Sequence, residues 1–263
     1  MSAAPLARPA GVASDLITVA GRALRQARRD TEAVIPPVFV GVFFYAVQVG
    51  MLQDVFESPG GGVSDYRAFL LPMGILFAVT GVSRATALVT DIQGGYFDRM
   101  LVTPIARPTL LLGLMVADLV VVAGVAVAVT AAGLAMGVEI ATGVVGIAAS
   151  LVLWGLWALA FAGFPYAVAL RTGNPAAVGS SWLLFMPFTF LSTAFVPEGA
   201  MTGWMASVVE LNPVTHLLGA QRALVSEGWA WATIGRGLLA TGAVFVVTFG
   251  AAMAALRRRL SRH

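Results

Sequence analysis

Long apolar stretches separated by short polar segments make up most of the chain. Six of these stretches reach the roughly 20 residues that a helix needs to cross a membrane, and they lie at about 33–53, 68–90, 109–138, 144–170, 175–197 and 235–256. No stretch shows the strict apolar–polar alternation that is typical of a half-buried strand. The pattern predicts an all-α integral membrane protein in which residues 33–256 form a single transmembrane domain with six spans.

One carboxylate, Asp118, interrupts the third apolar stretch. Because 119–138 is long enough to cross a membrane unaided, we expect Asp118 at the inner interface, on a part of the helix that projects into the cytoplasm. A proton relay is the alternative for a carboxylate within a membrane helix. The spacing favours the interfacial position.

The two ends of the chain are polar. Residues 1–32 predict a cytoplasmic segment with an amphipathic helix that lies along the inner headgroups, since apolar residues and arginines fall on separate stripes. The arginines of this interfacial helix are Arg22, Arg25, Arg28 and Arg29. A solvated helix with no mechanical role is the alternative. Residues 257–263 form a basic cytoplasmic tail.

Composition supports a membrane protein and narrows its chemistry. The chain is 59% hydrophobic and 11% charged, whereas soluble domains carry about 25% charged residues. The 16 basic residues are all arginine, so the lysine of a P-loop is missing and ATP hydrolysis would have to come from a partner. Without cysteine there is no thiolate metal site. We expect no catalytic, cofactor or metal site in this chain and no nucleic-acid partner.

The arginines also predict the orientation. If the six spans alternate, 13 of the 16 arginines fall on the side that holds both termini, and the other side keeps Arg67, Arg222 and Arg236. Basic residues are enriched in cytoplasmic loops. We therefore expect a multi-pass membrane protein with both termini in the cytoplasm.

A charged loop, "DIQGGYFDRMLVTPIARP" at 91–108, separates the second and third stretches. Gly94 and Gly95 permit a tight break, 96–102 predicts a short helix, and Pro104 ends it. A short cytoplasmic helix between two spans is suited to docking a partner. The alternative is an ordinary polar loop at the headgroups.

A second motif, "LNPVTHLLGAQRAL" at 211–224, lies before the last stretch. Together the two motifs resemble those of the ABC type-2 exporter permeases, and "GGYFDRMLVTPIARP" is most similar to the branch that contains daunorubicin-resistance permeases of actinobacteria. One departure is Leu114 and Met115, where many relatives carry a basic residue. The resemblance covers essentially the whole chain.

The resemblance implies that the chain is the transmembrane subunit of an exporter in the bacterial inner membrane. Two permease chains, identical or homologous, would form a transmembrane dimer above two copies of a cytosolic ABC ATPase subunit, which binds ATP and magnesium. It also implies that the charged loop couples the permease to the ATPase. The coupling residues would be Gly95, Asp98, Arg99, Leu101, Thr103, Pro104 and Arg107.

The outer segment at 198–227 is apolar in part but too short to cross a membrane. Re-entrant or interfacial helices are expected here, and a surface loop anchored by Trp204 is the alternative. The residues that carry the family's outer motif are Asn212, Pro213 and Arg222, with Trp204 upstream.

Substrate class follows less directly from the residues. The candidate substrate path is formed by Phe43, Phe77, Phe185, Met186 and Phe188. Such adaptable apolar surfaces suit an amphiphilic or hydrophobic drug, natural product or lipid in contact with the membrane. A polysaccharide or glycolipid exporter of the same family is the first alternative, and an ion-coupled secondary transporter is the second.

An intramembrane serine protease is the rival from another class. The segment "GSSW" at 179–182 offers a serine nucleophile and His216 a base. The predicted topology places them at opposite ends of the fifth span, beyond hydrogen-bond reach. Proteolysis is therefore not expected.

Overall fold

The computed structural model describes residues 21, 34–59, 62–80, 82–97 and 107–261, and within these ranges the regular structure is helical, without strands. The α-helices are α1 (Ile35–Phe56), α2 (Tyr66–Thr80), α3 (Ala85–Gln93), α4 (Arg107–Ala135), α5 (Gly143–Thr172), α6 (Pro175–Ser180), α7 (Met186–Phe190), α8 (Trp204–Leu211), α9 (Pro213–Arg222) and α10 (Trp231–Leu260). Ser181–Phe185 and Glu198–Ala200 are 3₁₀ turns, and Ala223–Glu227 is a π-helical turn. The arginines of the predicted interfacial helix, at 22, 25, 28 and 29, lie outside the described residues.

Five segments of the described chain are long and apolar enough to cross a membrane. They are Ile35–Phe56, Tyr66–Gln93, Leu111–Ala135, Gly143–Thr172 and Trp231–Leu260. They coincide with five of the six predicted stretches. The chain is therefore a multi-pass membrane protein built from helices.

The stretch at 175–197, predicted as the fifth span, is less regular than the other five. It consists of α6, the 3₁₀ turn Ser181–Phe185, α7 and a series of turns. Pro187 lies in the first turn of α7, and a proline inside a helix removes a backbone donor and clashes with the preceding turn. Hydropathy alone therefore overstated the regularity of this segment, and the six-span arrangement stays a prediction.

Among the long helices, α5 packs between α4 and α10, and α1 packs along α2. Glycines permit close approaches at two of these crossings. A Cβ on Gly163 of α5 would lie 2.6 Å from the backbone of Thr248 on α10, and a Cβ on Gly41 of α1 would lie 2.6 Å from the carbonyl oxygen of Gly74 on α2. Small residues at helix crossings provide van der Waals contact where lipid offers no hydrophobic driving force.

Two buried clusters occupy opposite ends of the bundle. The first joins α2, the second half of α4, the first half of α5 and α9, and it includes Leu70 and Trp154. The second joins α3, the first half of α4, the second half of α5 and the end of α10, and it includes Phe97 and Leu256. The second cluster lies beside the charged loop, since α3 leads directly into that loop.

Asp118 lies within α4 and is only 1% exposed, inside the protein rather than on its surface. Its carboxylate accepts hydrogen bonds from the hydroxyl of Tyr166 on α5, at 2.9 Å, and from the backbone N–H of Arg84, at 3.1 Å. Arg84 immediately precedes α3. Asp118 thus joins α4 and α5 to the break between α2 and α3, and its carboxylate is satisfied within the fold.

Candidate functional site

The charged loop begins with the glycine break that the sequence predicts. Helix α3 ends at Gln93, and Gly95 has φ +66°, which is a left-handed backbone that favours glycine. Helical conformation resumes at Tyr96 and Phe97. Of the predicted coupling residues, those at 98, 99, 101, 103 and 104 lie outside the described residues, and Arg107 begins α4.

Phe97 seats the start of this loop in the protein interior. Its side chain is completely buried in the second cluster, where the packed residues include Met115 of α4, Leu170 of α5 and Val178 of α6. A hydrogen bond also holds the start of the loop in place, since the side-chain amide of Gln93 donates to the carbonyl of Gly173 at 3.0 Å. The loop is therefore attached to the link between α5 and α6.

The outer motif forms a hydrogen-bonded knot around Asn212. Its side-chain oxygen accepts from the N–H of Val214 at 2.9 Å and caps α9, which Pro213 begins. Its side-chain nitrogen donates to the carbonyls of Phe188, at 2.7 Å, and Leu191, at 2.6 Å. Asn212 thus holds the end of the broken fifth segment against the start of α9. Trp204 begins α8 and is 70% exposed.

Arg222 holds the same segment from the other end of α9. The guanidinium is buried and donates to the carbonyl of Phe69 at 3.0 Å, to the hydroxyl of Thr193 at 3.0 Å and to the carbonyl of Thr193 at 2.5 Å. Its central carbon also lies 3.6 Å from the centre of the Phe69 ring. A planar fork of donors satisfied in this way is a role that arginine fills better than lysine. Arg222 joins α9, α2 and the turns after α7.

A third polar cluster joins α1, α2 and the chain after α4 at the end of the bundle that is predicted to be outside. Arg67 donates to the side chain of Gln53 and to the carbonyl of Met136, each at 3.1 Å. Glu57 accepts from the side chain of Gln53 at 3.0 Å and from the N–H of Tyr66 at 2.9 Å. These hydrogen bonds, the one from Gln53 first, lower the pKa of Glu57.

The predicted substrate-path residues separate into two groups. Phe43 and Phe77 belong to a chain of rings on α1 and α2, in which Phe44 packs edge-on to Phe43 at 5.8 Å and stacks on Phe77 at 4.9 Å between ring centres. Phe185 and Phe188 instead line a cavity against α5 and α10. Met186, between them, is half-buried. The structure does not place the five residues in one path.

This cavity has a volume of about 770 Å³ and lies between α5, the segment Ser181–Phe190, the start of α9, and α10. The walls from α5 are aromatic, with Trp157, Phe161 and Phe164. The wall from α10 consists of Ala240, Ala243, Val244, Val247 and Thr248. Sequence reasoning missed both walls, although small apolar residues recurring every three or four positions on α10 are the expected sign of a packed helical face.

The serine and histidine of the protease hypothesis do not meet as a catalytic pair. The Ser180 hydroxyl donates to the carbonyl of Ala176 at 2.9 Å, and the Ser181 hydroxyl donates to that of Val178 at 2.7 Å. His216 lines the apolar cavity. No group of metal-binding side chains occurs within the part of the chain that the structure describes.

Comparison with known proteins decides the family. Residues 14–225 match the ABC-2 type transporter family. The chain belongs to this family. The permease is also 30% identical, over 236 residues, to a daunorubicin resistance ABC transporter permease protein of Streptomyces coeruleorubidus. That alignment covers 88% of this chain and 78% of the relative. The permease is thus a transporter subunit and not itself an enzyme.

Proposed function

We propose that the permease is the transmembrane subunit of an exporter that moves an amphiphilic or hydrophobic compound out of the cytoplasm or the inner leaflet. The observation that carries this proposal is the similarity to a daunorubicin resistance permease over 88% of the chain. The apolar cavity beside the broken fifth segment supports the substrate class, because drug-sized ligand sites are concave and mostly apolar.

Energy would come from two copies of a separate cytosolic ABC ATPase, which bind ATP and magnesium. A chain without lysine lacks the residue that a P-loop places on the phosphates. A second permease chain, identical or homologous, completes the transport path. The bilayer supplies the surrounding lipid.

The loop after α3 would be the contact with the ATPase. The buried Phe97 and the Gln93–Gly173 hydrogen bond support this assignment, because a force applied to the loop would act directly on α3, α5 and α6. Asp98 and Arg99 supply the charges that meet the ATPase surface. Exposed charge pairs are individually worth about 0–1 kcal/mol, so their loss should weaken coupling rather than abolish it.

Transport in inside-out vesicles tests the function. With the cognate ATPase, the vesicles should take up daunorubicin when ATP is supplied, also after the proton gradient has been collapsed. Uptake that needs only the proton gradient would instead identify a secondary transporter.

The charge reversal Asp98→Arg with Arg99→Asp tests the coupling loop, with Arg236→Asp, an exposed position on α10, as its control. The double variant should be expressed normally and show weaker ATPase binding or partial uncoupling of hydrolysis from uptake. Wild-type uptake and ATPase affinity in the double variant would remove these two residues from the coupling role.

The orientation in the membrane is tested by labelling. We propose cytoplasmic termini, an inner-membrane location and six spans, of which the fifth is the broken segment, on the strength of the arginine distribution. Single cysteines at Ser58 and Ser226, both exposed, should react with an impermeant thiol reagent in intact spheroplasts. Protection of both cysteines until the membrane is opened would reverse the assignment.

A further inference from the structure

Helix α3 connects the break after α2 to the charged loop. Its buried residues recur at positions i, i+3, i+4 and i+7, which places them on one face of the helix. They are Ala85, Leu88, Val89 and Ile92, and all four lie in the second cluster. Through this face α3 packs with α5 and α6, while Thr86 and Thr90 on the other face are exposed. The loop therefore continues from a short helix that rests on α5.

The start of α3 is held by a side chain from α4. The first N–H groups of a helix have no partner within that helix. Here the N–H of Arg84 donates to the carboxylate of Asp118 at 3.1 Å, and the N–H of Ala85 donates to the hydroxyl of Ser83 at 3.2 Å. A negative charge at this end is also favoured by the helix dipole. Asp118 thus provides, from another helix, an acceptor that caps α3.

The same carboxylate connects α3 to α5. Its other oxygen accepts from the hydroxyl of Tyr166 on α5 at 2.9 Å. The far end of α3 is attached there too, because Gln93 donates to the carbonyl of Gly173, directly after α5. On the α2 side the chain is non-helical at Val82 and Ser83. A displacement of the loop would therefore be passed to α5 at both ends of α3, rather than to α2 along one continuous helix.

A buried carboxylate is a costly way to hold helices together. Asp118 is 1% exposed and lies within Leu111–Ala135, which is long and apolar enough to cross a membrane. Ionisable side chains in such segments are expensive and are typical of functional positions. Well-packed apolar residues of similar volume stabilise a helix contact equally well. Packing alone thus gives no reason for an aspartate here, whereas joining three elements in one arrangement does.

We propose that Asp118 is a positioning residue for transport, which fixes α3 to α4 and α5 so that a displacement of the charged loop by the ATPase moves these three helices together. The inference rests on the proposed function, in which the ATPase contacts the loop after α3. Because Asp118 is buried, it acts through the helices that it joins and not by contact with the ATPase.

The experiment compares uptake with hydrolysis in the complete complex. The permease and its ATPase are reconstituted in proteoliposomes, and daunorubicin uptake and ATP hydrolysis are measured on the same preparation. A purely structural defect lowers the amount of folded complex, so both rates fall in proportion and their ratio is unchanged. Loss of the junction lowers the ratio, because hydrolysis continues without moving the helices.

The variants remove or preserve the hydrogen bonds of the junction. Asp118→Leu with Tyr166→Phe removes both and leaves apolar side chains in their place. Asp118→Asn keeps an oxygen for the N–H of Arg84 and gains an amide that can donate to the Tyr166 oxygen. The control is Ser150→Ala with Gln221→Leu, which removes another buried pair, in which the Ser150 hydroxyl of α5 donates to the Gln221 side chain of α9 at 2.6 Å.

The double variant of Asp118 and Tyr166 should take up at least about fivefold less daunorubicin per ATP hydrolysed, the lower end of couplings between distant sites. Tyr166→Phe alone keeps the cap on α3 and should lower the ratio by a smaller factor. Asp118→Asn and the control should stay within about twofold of the wild type, below the range of such couplings.

The outcomes separate this inference from the proposed function. An unchanged ratio in both the double variant and Tyr166→Phe overturns the inference, as does an equal fall in the control or in Asp118→Asn. Each of these results leaves ATP-driven uptake by the wild type, and with it the proposed function, standing. A wild-type complex that hydrolyses ATP without any uptake overturns the proposed function and this inference with it.

Discussion

Replacing Asn212 tests whether the outer motif is a structural knot. Asn212 is 6% exposed and makes three hydrogen bonds through its side chain, one as the cap of α9 and two as donor to the carbonyls of Phe188 and Leu191. Losing a helix cap costs about 1 kcal/mol. Each lost donor costs about 0.6–1.5 kcal/mol, the lower value being typical of membrane proteins. Asn212→Ala should therefore destabilise the permease by about 2–4 kcal/mol.

Asn212→Ser separates the two contributions. Serine is a good helix cap, but its side chain is too short to donate to the carbonyls of Phe188 and Leu191. Asn212→Ser should lose only about 1–3 kcal/mol and lie between the wild type and Asn212→Ala. Unfolding of the purified permease by SDS in mixed micelles, followed by far-UV circular dichroism, gives the three free energies.

The reasoning fails if Asn212→Ala unfolds within about 0.5 kcal/mol of the wild type, because the knot would then contribute nothing measurable. It also fails if Asn212→Ser is as destabilised as Asn212→Ala, since the cap would then have no value of its own. An alanine at exposed Ser58, which lies away from the knot, controls for general effects of substitution.

Three further changes follow from the packing. Arg222→Lys cannot reproduce the fork between Phe69 and Thr193 and should destabilise by about 2–4 kcal/mol, measured by the same SDS unfolding, whereas the exposed Arg236→Lys should not. Gly163→Ala should force α5 away from α10 and lower the free energy of unfolding by about 1–3 kcal/mol. Its control is Gly242→Ala, whose new Cβ meets nothing within 4 Å and which should be neutral or slightly stabilising. Equal effects of the two substitutions would refute the close approach. The pKa of Glu57 lies below its usual 4.5, so the carboxylate stabilises the fold above that pH, and this contribution is lost as the pH falls through the lowered pKa. Between about pH 6 and about pH 3, the thermal stability of Glu57→Gln should therefore fall less steeply than that of the wild type. Identical curves would contradict the assignment.

Apolar length was enough to place most of the long helices. The stretch predicted at 33–53 is the helix Ile35–Phe56, and the one predicted at 144–170 is Gly143–Thr172. The glycine break after the second stretch also followed from local rules, because Gly95 has the left-handed backbone that glycine tolerates best. Local backbone preferences and hydropathy thus carry the positions of spans and turns.

The sequence did not predict which helices pack against one another. In a membrane, lipid-facing and protein-facing positions are both apolar, so the pattern does not say that α10 lines a cavity with α5. The contact of Arg222 with Phe69 joins positions far apart in the chain, and the sequence of the outer motif does not predict that Phe69 is the partner. The broken fifth segment was missed for a similar reason, since hydropathy measures apolar length and not helical continuity.

The carboxylate of Asp118 has a consequence for how the chain is made. Arg84, which donates its backbone N–H, is synthesised before Asp118, but Tyr166 comes after it. A buried acceptor that is left without its partner costs about 1–3 kcal/mol, and more when it is charged. Helix α4 therefore leaves the ribosome with its carboxylate only half partnered and is completed when α5 inserts beside it. We therefore expect α4 and α5 to insert into the membrane as a pair.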